Sequence, residues 1–146
     1  MDVTRGGTTV KLQFWDTSSQ ECQNLLTSSY YNGTEVVIIV FSLTDKKTFE
    51  NAETWYSEAR RNADDSALII VVGAKADEPT RAVTADDTTA FTARHPNVKY
   101  LEVSAKTCKN IDELMDAIVE RFLPPRPAIP WWKHIIDMFR PTTERQ

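Results

Sequence analysis

The sequence predicts an α/β domain of three layers with a mostly parallel sheet, and two observations carry that prediction. Two runs, Val36-Val37-Ile38-Ile39-Val40-Phe41 and Leu68-Ile69-Ile70-Val71-Val72-Gly73, are continuously apolar and β-branched, a pattern that suits strands covered on both faces. Helical periodicity lies between and after them, and strands alternating with helices build a sheet with helices packed on it.

Taken in order, Thr9 to Trp15 alternates, with Val10, Leu12 and Phe14 on one side and Lys11, Gln13 and Trp15 on the other. That period of two predicts a half-buried strand. Arg5-Gly6-Gly7-Thr8 before it reads as a hairpin turn, with Asp2 to Arg5 as the preceding antiparallel strand. After the first apolar run, Thr48 to Asn62 places Phe49, Ala52, Trp55, Tyr56 and Ala59 at helical spacing. Thr84 is an N-cap for a helix running to about Arg94, with Asp86 and Asp87 at its positive end. Lys99 to Val103 is a short third strand. Asn110 caps a helix whose stripe is Ile111, Leu114, Met115, Ile118, Val119 and Phe122, and Pro124-Pro125-Arg126-Pro127 stops it. The expected division is a domain over 1–123, followed by a Pro-rich linker and a short amphipathic segment over 124–146.

Composition narrows the function. A net charge of −4 argues against general nucleic-acid binding, which needs a basic surface to neutralise phosphates. The two cysteines, Cys22 and Cys108, lack metal-ligand spacing and read as free thiols. No secretory signal pattern opens the chain, so the expected setting is cytoplasmic, with any membrane contact peripheral.

In parallel α/β folds, ligands bind beyond the carboxyl ends of the strands. Three polar clusters fall there: Trp15-Asp16-Thr17-Ser18-Ser19-Gln20-Glu21, Gly73-Ala74-Lys75-Ala76-Asp77 and Ser104-Ala105-Lys106. Lys11 to Glu21 resembles the segment KLQIWDTAGQE of Rab proteins, in the Ras superfamily of small GTPases. Leu26 to Gly33 is similar to their ITSSYYRG, and Phe41 to Phe49 to YDVTDQESF. Gly73 to Asp77 resembles GNKxD, and Ser104-Ala105-Lys106 matches SAK. The resemblance covers roughly Asp2 to Leu123.

The resemblance implies a Ras-like domain that binds GTP or GDP with Mg²⁺ and switches in vesicle trafficking. It gives Asp77 the role of accepting two hydrogen bonds from the guanine N–H edge, which a carboxylate's two oxygens suit. Lys75 would lie along the base, and the backbone N–H at Ala105 would read the guanine carbonyl. Asp16 would hold magnesium through water, and Gln20 would orient the attacking water. Trp15 and Tyr30 match two members of an aromatic triad on which Rab effectors dock.

The pattern also breaks. Phosphates are cradled by a loop of Gly, four residues, then Gly-Lys-Ser/Thr, and none of the four glycines here starts one. Ser19 stands where the family has a glycine, and Ala74 where it has asparagine. The family's first strand, its first helix and switch I are expected to be missing; that strand would lie centrally, between the strand ending at Trp15 and the one starting near Val36. Without it, two facing rows of backbone groups stay open, and the chain alone is expected to be unstable or aggregation-prone. The chain ends Thr142-Thr143-Glu144-Arg145-Gln146, with no lipid-acceptor cysteine. Trp131, Trp132, Ile135, Ile136 and Phe139 form an apolar face suited to packing on the domain, on a partner or on an endomembrane surface. Two readings follow: a Rab-like GTPase whose nucleotide binding and hydrolysis are impaired or absent in this chain, or a nucleotide-free Rab-like binding module acting through its surfaces.

Overall fold

The computed structural model describes residues 1–5, 7–17 and 30–123, and the elements run β1 (Asp2–Arg5), β2 (Thr8–Lys11), β3 (Val36–Ser42), α1 (Lys46–Asn62), β4 (Leu68–Ala74), α2 (Ala85–Arg94), β5 (Val98–Glu102) and α3 (Ile111–Glu120). β3, β4 and β5 form a parallel sheet in that order, with Val36 opposite Leu68 and Ile69 opposite Val98. β1 and β2 form a separate antiparallel hairpin in which Val3 faces Val10.

The continuous apolar runs earn their strand geometry by feeding two cores at once. Along β4, Ile69 and Val71 pack into one cluster, with Ala52 and Ala59 of α1 and Phe91 of α2. Ile70 and Val72 pack into the other, with Ala117, Ile118 and Val119 of α3 and with Leu12 beside the hairpin. The sheet is thus the middle of three layers. Aromatic edges tighten the first cluster, Phe41 meeting Phe49 at 4.9 Å between ring centres. A buried side chain of this size contributes about 1.5–3 kcal/mol relative to exposure.

Helix ends follow their caps. Asp45 accepts from the Lys47 N–H, so α1 begins two residues before the expected Thr48. Thr84 and Asp87 form a reciprocal capping box at the start of α2, as the sequence suggests.

Two expectations need correction. The alternating strand ends at Lys11 rather than Trp15, because its partner runs out: the last backbone bonds join Leu12 to Met1. Phe14 and Trp15 beyond that point are 54% and 75% exposed. Asn110 does stand at the start of α3, but its side chain makes no cap. The residue takes a left-handed φ of 58°, and its amide donates instead to the Glu102 carbonyl at 2.8 Å. The third strand begins and ends one residue earlier than expected, at Val98 and Glu102.

Among the described residues no ladder joins β2 to β3. An open groove of about 1200 Å³ lies between them, bordered by residues 10–17 on one side and 30–40 on the other. Trp55 also lines it, as do Ile118 and Phe122. Val40, inside β3, is 61% exposed.

Candidate functional site

The tip of β4 organises the guanine-type cluster. Its last residues bond outward to both neighbouring segments: the Leu43 N–H donates to the Ala74 carbonyl, and the Val103 N–H to the Gly73 carbonyl. The Ala76 N–H then returns to the Val103 carbonyl at 3.0 Å. Between these bonds the chain turns at Lys75, whose φ of 63° lies in the left-handed region and whose side chain is exposed. Gly73 is required by space, since a Cβ there would sit 2.9 Å from both Leu43 Cδ2 and Tyr100 Oη.

This turn carries Asp77 to the loop after β5. The Lys106 ammonium stands 3.6 Å from the Asp77 carboxylate and 3.5 Å from Glu78. Asp77 is held below the usual carboxylate range, first by the neighbouring Ser104 hydroxyl and less by Lys106. The same acidic pair raises the Lys106 ammonium, Glu78 contributing most. Ser104 is fully buried; its hydroxyl accepts the Thr107 N–H, and its own N–H donates to the Lys109 carbonyl. Ala105 is exposed at the loop's surface. An ionised carboxylate beside an exposed loop can accept two parallel N–H donors, which is the chemistry of a guanine edge.

A brace below the site escaped sequence reading. Arg81 donates to both Glu102 oxygens at 2.7 and 3.0 Å, and Tyr100 donates to the same carboxylate at 2.9 Å. Arg81 therefore holds the Glu102 carboxyl down, while burial and then Glu102 push the Tyr100 phenol up. Only Glu78 had a signal in sequence, its place directly after Asp77.

The remaining site residues lie elsewhere. Asp16 and Trp15 are exposed along the groove between β2 and β3, as is Tyr30. Ser19 and Gln20 lie outside the described residues, as do Trp131, Trp132, Ile135, Ile136 and Phe139. The residues present suit the base of a guanine nucleotide better than its phosphates. Ala74 lacks the family's amide, and among the described residues no three His, Cys, Asp or Glu side chains are grouped to hold a metal ion. Among the same residues no helix is long and apolar enough to cross a membrane.

Known proteins share this arrangement. The model of the Ras family matches residues 1–123. The Ras-related protein SEC4 of Saccharomyces cerevisiae is 40% identical over 112 residues, covering 77% of this chain and 52% of the yeast protein. GTP-binding protein YPTM2 of Zea mays is 37% identical across 80% of this chain and 57% of its own length. Ras-related protein RABD2a of Arabidopsis thaliana is 37% identical across 86% and 64%. The chain spans between half and two thirds of the length of these relatives. With the family model matched from the hairpin through the last helix, and the β4 and β5 loops set as described, the chain belongs to the Ras family, as a Rab-like member.

Proposed function

We propose that residues 1–123 are the base-recognising part of a Rab-like small GTPase domain, whose family role is as a GTP-dependent switch in vesicle trafficking. The observation that carries this reading is the Asp77 carboxylate, held ionised at the tip of β4 between the buried Ser104 and the exposed Lys106. Asp77 accepts the guanine N–H edge, Lys75 lays its stem along the ring, and the Ala105 N–H donates to the base carbonyl. Lys106 flanks Asp77 and balances its charge. Magnesium and the phosphates would supply the hydrolytic chemistry, with Asp16 and Gln20 facing them, but no phosphate loop occurs in these 146 residues. Nucleotide binding by this chain is therefore weak and hydrolysis absent.

Calorimetric titration of the full chain with guanosine and GDP tests this. The expected result is weak binding that prefers guanine over adenine, is indifferent to magnesium and is lost in Asp77→Ala. Equal binding of adenosine, or binding retained without the carboxylate, would sink it.

A second reading is a nucleotide-free Rab-like module acting on effectors or regulators. It is favoured by Ala74 and by the Lys106 ammonium, which already partners Asp77. Its surfaces would be Trp15 and Tyr30, 75% and 54% exposed, together with the aromatic face of residues 131–139 set on its Pro-rich linker. That face would serve peripheral attachment to endomembranes in place of a prenyl group. Under this reading no guanine compound binds at all.

A further inference from the structure

We propose that the groove between β2 and β3 is a docking site for one extended, continuously apolar segment of another polypeptide, paired with both strand edges at once. β3 closes one sheet and β2 the other, and both free edges border the same groove. The groove thus continues two hydrogen-bonded ladders. A helix or a small molecule set there would leave both rows of backbone N–H and C=O groups unpaired, whereas a single strand satisfies both. Its length is set by the walls: residues 10–17 face residues 33–40, enough for a strand of about six residues, or roughly 20 Å.

The walls also define the chemistry of the occupant. Val37, Ile39 and Phe41 of β3 point to the cluster under α1, whereas Val36 and Ile38 point to the cluster under α3. From the same two sides Trp55 and Ile118 reach the groove. Both faces of an incoming strand therefore meet apolar walls, so a continuous β-branched run fits and an alternating apolar–polar strand does not. The exposed Val40, alone in β3 at 61%, is the contact such a run would cover. A second copy of this chain is a poorer occupant, because pairing β3 with β3 leaves both β2 edges open.

The test refolds the full chain with a labelled peptide, Lys-Lys-Val-Ile-Val-Ile-Val-Ile-Lys-Lys, or with the alternating Val-Lys-Val-Lys-Val-Lys-Val-Lys. The expected result is anisotropy-detected binding of the first at least tenfold tighter than the second, with hydrogen-exchange protection gained in both 8–11 and 36–42. Val40→Lys, at an exposed position, should weaken that binding tenfold or more. The exchange pattern on the unaltered chain decides the matter even if the variant folds poorly. Equal binding of the two peptides, protection of one edge only, no soluble complex, or a dimer formed through β3 that excludes the peptide would each overturn the proposal.

Discussion

Arg5 and Asp116, 111 residues apart in sequence, meet at 2.7 Å and pin the hairpin to α3 across the end of the groove. Both side chains are about half exposed, so the pair works at high effective dielectric. A double-mutant cycle of Arg5→Ala and Asp116→Ala should show coupling at low salt that disappears near 1 M, where screening reaches about 3 Å. Coupling indifferent to salt would mean that the hairpin is held by packing of Leu12 alone.

Gly73→Ala should destabilise the domain by about 1–3 kcal/mol, the usual cost of overfilling a packed core. The added methyl would press on Leu43, which is buried, and on the Tyr100 hydroxyl, which is fixed on Glu102. Denaturant midpoints measure the loss. Pairing the change with Tyr100→Phe should recover part of it by removing one of the two obstructing atoms.

Asp87 gives the domain an acid-sensitive helix end. Its carboxyl is held at about 2, first by Lys46 and then by the Thr84 N–H and hydroxyl. The folded value lies below the ordinary 3.8, so the stabilisation is fully present above the ordinary carboxylate range and is lost as pH falls through about 2. Amide exchange in α2 should accelerate over that window. Asp87→Asn should remove the pH dependence, and Lys46→Ala should move Asp87 upward in a carbon-detected NMR titration.

The order of causes at Asp77 is itself testable. Ser104→Ala should raise its titration point more than Lys106→Gln does, because the hydroxyl outranks the ammonium in holding it down. The larger shift from Lys106→Gln would show that the exposed ion pair dominates and would weaken the guanine reading.

What the sequence made legible follows from how local each signal is. The run at 68–73 reads as a buried strand because both faces of β4 are covered, which leaves no polar position to blur it. Thr84 and Asp87 read as a helix start because a capping box is complete within four residues. The Thr9–Trp15 alternation overreached, since periodicity shows which faces a strand could have but not where its partner ends. Asn110 was placed correctly and explained wrongly: its amide is taken by Glu102, a contact set by how β5 enters the loop. For the site, the motifs located Asp77 and Ser104. The Lys106 bridge and the Arg81–Glu102–Tyr100 brace depend on parallel pairing of β4 with β5, which brings distant residues together without leaving a local pattern.

The bonds that shape the β4 tip run through the backbone: Gly73 and Ala74 contribute carbonyls, and Ala76 an N–H. Position 74 therefore performs its architectural duty whatever side chain it bears. An asparagine can be lost there without unravelling the turn that presents Asp77. Chemistry and shape are encoded on separate parts of the same residues, so a lineage can shed nucleotide affinity step by step while its outline persists for whatever still recognises it.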